Sequence, residues 1–459
     1  MDDEKPEAEK TEPTEEAEPV VILQCALTFS LSGGDAQQAA AGEGQAVLDT
    51  ESLSIQPRFG EALHLPLRDI LSISEGDYEV HLTLTSKETL TIGELGHYYE
   101  DFLTNLSKQR NEVLLKDMLM NESVKKSGMK ATFAHSDESG KEVENGQCEP
   151  RLYETALVIL PERGDPLRIP YSDIAQVGAE DYHLSLNTEF GERFVFSQMG
   201  GAFEPFAGSL SDAMNALVLK VQSSLKELLP KADPAVIRRA ARLMKEGRAA
   251  SRRDIEAISP SLWNELEGKL QACGIKETYD FLKSFAQEEE ICIGVKRGLL
   301  GDLTGEYVWF LVPIYSADPA KPGNAIAMEA ASDEGGGRAT YFFRMMARSE
   351  YRSAMNLPEL GQRIARVIKG INRCMVAVNF RREPVYLPED KLNDPQYSRY
   401  RFAIARLPEL QALRQLFIGR VIHSSPEQWR NDVTDLLKFN TSAQDDSLTW
   451  TKAKGGQSP

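Results

Sequence analysis

The stretch Leu65-Pro66-Leu67-Arg68-Asp69-Ile70 returns 104 positions later as Ile169-Pro170-Tyr171-Ser172-Asp173-Ile174. Read outward from this pair, the register holds without an insertion, matching about Cys25–Lys116 to Met129–Lys220. Thr28 and Phe29 match Thr132 and Phe133, and Leu53, Ile55 and Pro57 match Leu157, Ile159 and Pro161. Asp77 and Tyr78 match Asp181 and Tyr182, while Gly96, Phe102 and Leu106 match Gly200, Phe206 and Leu210. A shared register over that length marks an internal repeat, in which one supersecondary plan is built twice.

Each copy reads as short strands followed by one helix. Ser52–Pro57, Ala62–Leu67, Tyr78–Thr85 and Thr89–Ile92 carry alternation or β-branched residues, with turn residues between them. Tyr78, Val80, Leu82 and Leu84 alternate with Glu79, His81 and Thr83, the pattern of a sheet with one buried face. After Gly96 the apolar period becomes helical, through Tyr99, Phe102, Leu103, Leu106, Val113, Leu114 and Met118. The second copy follows the same plan, its helix running from about Phe203 to Leu229 and stopping before Pro230.

Strands capped by one C-terminal helix, with a P-x-x-D-I turn at Pro66–Ile70 and again at Pro170–Ile174, resemble the pleckstrin-homology-like barrel in its bacterial and GRAM-type forms. The resemblance covers residues 20–120 and 125–229. It implies two tandem PH-like β-barrels, each with its own helix. Phosphoinositide-binding members of that family place lysines and arginines in the loop between the first two strands. Here Ser32–Gln45 holds no basic residue, and Ser136–Gln147 holds Lys141 alone against Asp137, Glu138, Glu142 and Glu144. Phosphate recognition needs convergent positive charge, so lipid head groups and membrane surfaces are disfavoured as partners.

The remaining chain divides by pattern. Residues 231–290 read as a helical linker domain, with helices at Pro234–Lys245, Arg252–Ile258, Pro260–Ala272 and Glu277–Gln287. Residues 291–439 read as an α+β domain. Its expected strands are Tyr307–Tyr315, Ala325–Ala331 and Arg338–Met346, with a hairpin turn at Glu334–Gly337, and further strands near Val376–Phe380 and Arg399–Ala405. Its expected helices are Leu357–Met375, Pro408–Phe417 and Pro426–Phe439. The fold class is therefore α+β. Residues 1–19 carry nine acids against Lys5 and Lys10 and read as a disordered acidic tail, and 440–459 as a flexible one.

The formal charge is -18, and a field of that sign repels nucleic acid and anionic lipid unless a local patch overrides it. The longest apolar run, Val20–Leu31, is too short to span a bilayer. Five scattered cysteines with no C-x-x-C pair suit a reducing cytoplasm.

Two clusters stand out. Arg238, Arg239, Arg242, Lys245, Arg248, Arg252 and Arg253 concentrate positive charge in the helical region, for nucleic-acid phosphate, an acidic protein surface or solvent. Arg338, Tyr341, Arg344, Arg363, Arg366 and Arg381, with Arg348, Lys369, Asn379 and Arg382 nearby, would form an anion pocket if sheet and helix bring them together. Enzyme signatures are thin. The six histidines include no H-x-x-x-H spacing, and Gly298–Gly301 with Gly305 lacks the G-K-[ST] of a phosphate loop. His423 beside Ser424 and Ser425 reads better as the approach to a helix, with Ser425 as N-cap and Pro426 at its first position. Asp69 and Asp173 read as acids capping their own turns. No cofactor is implied.

These features lead to the expectation of a cytoplasmic, non-enzymatic interaction or scaffold protein that recognises protein or peptide through its duplicated modules. One alternative is a nucleic-acid-associated protein acting through segment 238–253. The other is a ligand-binding or enzymatic C-terminal domain with an arginine-lined pocket.

Overall fold

The computed structural model describes residues 20–33, 40–118, 122–296, 307–316, 318, 321–331, 338–352, 356–378, 380–442 and 445–450. The acidic segment 1–19, the turn at 334–337, the glycine pattern at 298–305, Asn379 and the end of the C-terminal tail lie outside the described residues, as does part of the first inter-strand loop. The chain forms two compact units, one ending at Val113 and one beginning at Leu114.

The first unit is an antiparallel sheet of seven strands: β1 (Leu23–Gly33), β2 (Ala41–Leu48), β3 (Ser52–Pro57), β4 (Leu63–Pro66), β5 (Ile70–Gly76), β6 (Glu79–Leu84) and β7 (Glu88–Gly93). Their order is β4-β3-β2-β1-β7-β6-β5, so β1 joins two hairpin runs and β4 and β5 are the sheet's ends. Helix α1 (Tyr99–Asp117) follows. Alternation sends Val80, Leu82, Leu84, Leu90 and Ile92 inward, where Phe102, Leu103, Leu106 and Val113 of the helix meet them. Each large side chain buried this way contributes roughly 1.5–3 kcal/mol. Between β5 and β6, Asp77 and Tyr78 both take positive φ, 51° and 63°. That is the two-residue hairpin turn whose twist suits paired strands. Ile70 and Leu71 lie where the β5–β6 register shifts. The buried Arg110 bonds their carbonyls, Nε to Ile70 O at 2.8 Å and Nη2 to Leu71 O at 2.7 Å.

The second unit opens with the same plan. Its strands are β8 (Ala131–Ser136), β9 (Glu142–Leu152), β10 (Ala156–Pro161), β11 (Leu167–Pro170), β12 (Ile174–Glu180), β13 (His183–Thr188) and β14 (Arg193–Ser197), in the order β11-β10-β9-β8-β14-β13-β12, followed by helix α2 (Phe203–Leu228). β10 to β13 begin and end 104 positions after β3 to β6, and Asp181 and Tyr182 repeat the positive φ. Seven antiparallel strands curled around one C-terminal helix is the pleckstrin-homology-like plan, present here twice. Three strands per copy that the alternation did not mark, β1, β2 and β5 with their counterparts, complete each sheet. The loop expected over Ser136–Gln147 is shorter, because β9 starts at Glu142 and Gln147 pairs with Thr132. Asp137 shapes that short turn by accepting from Ser139 N at 2.9 Å and Lys141 N at 3.0 Å.

Helices α3 (Pro234–Leu243), α4 (Arg252–Ile258), α5 (Pro260–Ala272) and α6 (Lys276–Lys283) come next. Asp233 caps α3 by accepting from Ala235 N, with Pro234 at its first turn. A six-stranded antiparallel sheet follows in simple order: β15 (Ala250–Ser251), β16 (Cys292–Lys296), β17 (Tyr307–Ile314), β18 (Ala325–Ala331), β19 (Ala339–Arg344) and β20 (Phe417–Ile422). Around it lie α7 (Arg348–Arg352), α8 (Leu357–Ala377), α9 (Glu383–Tyr386), α10 (Tyr400–Arg406), α11 (Pro408–Leu416) and α12 (Pro426–Ser442). The sheet is buried on both faces. Val308, Phe310 and Val312 pack with Trp429, Val433 and Leu436 of α12, whereas Trp309 and Leu311 pack with Ile364, Ile371 and Met375 of α8. The first of these cores also takes in the second barrel and α3–α6.

Two expected strands are helical. The run Arg399–Ala405 alternates like a strand but forms α10, and Val376–Ala377 ends α8. The place beside β19 is filled by Phe417–Ile422, which pairs Tyr341 with Arg420. Tertiary pairing overrode local pattern there.

Candidate functional site

In the second barrel, Pro170 holds φ at -59° and sends the chain into the short turn Tyr171–Asp173. The Asp173 carbonyl accepts from Glu189 N at 2.8 Å, which fixes the turn against the β13–β14 connection. Its carboxylate does not cap the turn, contrary to the sequence expectation. Only 4% exposed, it accepts from Arg248 Nη2 and lies 3.5 Å from Arg373 Nε. Arg248 also bonds Glu189 through Nη1, and Arg373 reaches Glu192 at 2.8 Å and Glu409 at 2.9 Å. Phe190 lies under both cations of α8, with Arg373 4.0 Å and Lys369 Nζ 4.4 Å from its ring centre. Lys369 Nζ also donates to Glu189 O at 3.0 Å. Four features of one turn region, Asp173, Glu189, Phe190 and Glu192, therefore receive basic side chains from two other parts of the chain.

Beneath the turn the charges are deeper. Ser172 Oγ donates to Glu246, whose carboxyl is pushed up by burial against the pull of Arg168. Glu122 accepts from Thr155 N at 2.7 Å and Oγ1 at 2.6 Å and lies 3.4 Å from Arg168 Nη2. Burial brings Lys296 down to about 7, against the opposing field of Glu246. Burial also raises Asp173, while Arg248 and Arg373 pull it back. Charges taken out of water this completely hold a defined geometry only when each has its partner.

The first barrel presents the equivalent turn as Leu67–Asp69. Asp69 and Glu88 stand where Asp173 and Glu192 do, both half-buried, and Thr85 N bonds Asp69 O at 2.9 Å as Glu189 N bonds Asp173 O. Thr85 and Ser86 replace Glu189 and Phe190.

The sequence-derived basic cluster is split by the structure. Arg238, Arg239 and Arg242 are exposed, and Arg239 Nη2 donates to Ile258 O at 3.3 Å. Arg248 serves the Asp173 turn, Arg252 pairs with Glu256 at 2.8 Å and with Glu288, and Arg253 pairs with Glu290. The second cluster is dispersed. Arg344 Nη1 donates to Asp446 O at 2.7 Å, and Arg348 Nη1 to Asp446 Oδ1 at 2.8 Å, so both tie down the segment after α12. Tyr341 is core, with its ring centre 5.8 Å from that of Tyr386. Arg363 pairs with Glu350 at 3.1 Å, Arg366 is exposed, Arg381 is half-buried near Lys296, and Arg338 reaches Gly274 O at 2.8 Å.

Cavities in the two barrels are not equivalent. One of about 490 Å³ in the first barrel involves Phe29, Glu43, Arg58 and Phe59, while one of about 470 Å³ in the second involves Tyr153, Glu154, Asp212 and Leu217. Among the described residues no helix is long and apolar enough to cross a membrane, and no group of three or more His, Cys, Asp or Glu is placed to hold a metal ion.

No family model matches the chain, and no curated protein is significantly similar to it. A solved structure described as "Structure of the Spt16D Pob3N heterodimer" aligns over 37% of this chain and 85% of its own, at 13% identity and a TM-score of 0.16. Likeness of that degree carries no weight for function.

Proposed function

We propose that this protein is a non-enzymatic interaction scaffold of bacterial or GRAM-type PH-like character, whose first barrel receives an arginine-bearing segment of a partner protein at the turn Leu67–Asp69. The observation that carries this reading is the engaged turn of the second barrel, where Asp173 and Glu192 hold arginines from elsewhere in the chain. Asp69 and Glu88 keep those acids in the first barrel. Charge supports it: residues 20–113 hold fourteen acids against five lysines and arginines, a field that draws basic partners and speeds their approach.

The test is affinity purification of the tagged chain and its D69N/E88Q variant, with and without nuclease. A stoichiometric partner that resists nuclease and is lost from the variant supports the reading. Partners lost on digestion but indifferent to D69N/E88Q move it to the exposed Arg238, Arg239 and Arg242.

A further inference from the structure

Glu329 is the sole charged residue on β18 and has no exposed surface, although its strand is otherwise alanine, isoleucine and methionine. A carboxylate in such a place needs several partners. Thr340 Oγ1 of β19 donates to its Oε2 at 2.8 Å, Thr278 Oγ1 of α6 reaches Oε1 at 3.4 Å, and His423 Nε2 lies 3.2 Å from Oε2. The same His423 nitrogen is 3.1 Å from Thr340 Oγ1, whose proton is committed to Glu329 and whose lone pair accepts from Trp429 Nε1 at 3.1 Å. Both neighbours of Nε2 are acceptors toward it, so Nε2 carries a proton. In the neutral ring Nδ1 is then the basic nitrogen. No protein hydrogen bond to Nδ1 is found among the described residues. Trp429 stacks on the imidazole, ring centres 5.2 Å apart, and fixes its plane.

The ring faces a cavity of about 370 Å³, bordered by Thr278, Arg338, His423, Ser424, Ser425 and Arg430 among others. The acids near it are committed. Glu329 is enclosed as described, and Glu277 bonds Arg430 Nη2 at 2.8 Å. Arg338 Nη2 lies 3.9 Å from Glu329 Oε1 and Arg430 holds Glu277, so both cations are charge-paired, and each guanidinium has more N–H groups than its pair uses. Arg338 spends Nη2 on Gly274 O, while its buried Nε has no hydrogen-bond partner among the described residues. The guanidinium N–H groups left over select a ligand that offers acceptors.

We propose that this cavity binds a small oxyanion that keeps one proton, a hydrogen phosphate group, between Arg338 and Arg430, its P–O–H donating to Nδ1 of His423. Glu329 is a positioning residue that sets the tautomer and plane of the imidazole. The site is independent of the barrel turns.

The experiment titrates inorganic phosphate, and separately acetate, into the full chain at constant ionic strength, following the imidazole resonances of all six histidines. His423 is assigned by its loss in H423Q. The expected result is a saturable shift confined to His423 with phosphate and none with acetate, which has no proton to offer Nδ1, the phosphate effect weakened about tenfold or more in R430A, an exposed position. E329Q would alter the ¹⁵N pattern of His423 before any anion is added, which a purely packing role for Glu329 would not produce. The proposal is overturned by shifts that never saturate, by equal movement of all six histidines, or by binding that R430A and R338Q both leave unchanged.

Discussion

Lys296→Met is the sharpest test of how the second unit is held together. Lys296 lies on β16 with 1% exposure, its Nζ 4.6 Å from the centre of the Phe380 ring and its Cβ close against Gly247. Burial, opposed by Glu246, lowers it from 10.5 to about 7. At about 1.4 kcal/mol per tenfold change in proton affinity, keeping the charge inside costs the fold about 5 kcal/mol. The unfolded chain holds the proton up to about pH 10.5, whereas the folded chain releases it near 7. Stability from this group is therefore lowest and flat below pH 7, and climbs as pH rises from 7 toward 10.5. Methionine fills a similar volume without charge, and Ser172 and Arg168 remain to hold Glu246. K296M is expected to be more stable than the parent at pH 6 by a few kcal/mol, with the advantage falling by about 2 kcal/mol between pH 7 and 9. Urea unfolding followed by tryptophan emission reads this cleanly, because all four tryptophans follow Leu114 and report on the second unit. A K296M protein less stable than the parent at pH 6, or a difference that does not change between pH 7 and 9, would refute the reasoning.

Three further substitutions separate the roles assigned above. D173N removes the carboxylate from between Arg248 and Arg373 and is expected to cost about 3–5 kcal/mol, while D69N, at a half-exposed site, stays within about 1 kcal/mol; equal costs in urea unfolding would contradict the asymmetry. G294A places a Cβ 2.2 Å from Trp309 Nε1 and 2.7 Å from Gly247 O, so the Trp309–Gly247 hydrogen bond must shift, at about 1–3 kcal/mol or more; an unchanged Trp309 emission maximum and melting temperature would count against it. Y78G puts glycine at φ 63° on the tip of the β5–β6 hairpin and is expected to stabilise the first unit by up to about 1 kcal/mol despite losing an aromatic ring; slower amide exchange in β5 and β6 is the check.

The barrels were legible because period and punctuation agreed. Val80, Leu82 and Leu84 alternate, the P-x-x-D-I turn recurs, and the helix after Gly96 or Gly200 shows its apolar stripe. Helices α4 and α5 lie over the expected Arg252–Ile258 and Pro260–Ala272, with Ser259–Pro260 opening α5 and Gly274 just past its end. Legibility failed where a distant partner decided the outcome. Arg399–Ala405 has strand periodicity, yet Phe417–Ile422 takes the place beside β19, and no local signal distinguishes them. The role of Asp173 was hidden because its arginines come from 75 and 200 positions away. Glu329 offered one signal, a lone acid in an apolar strand, whose meaning depends on His423 arriving from β20.

The central claim is that the first barrel uses Asp69 and Glu88 to hold arginines as the second barrel uses Asp173 and Glu192. Its most direct test titrates a peptide copying 357–377, which contains Arg373 and Lys369, into the full chain while amide resonances of the first barrel are followed. The account predicts one-to-one, salt-sensitive binding with shifts at Asp69, Thr85 and Glu88, abolished by D69N/E88Q. Shifts that miss this turn, or binding that survives D69N/E88Q, would contradict it.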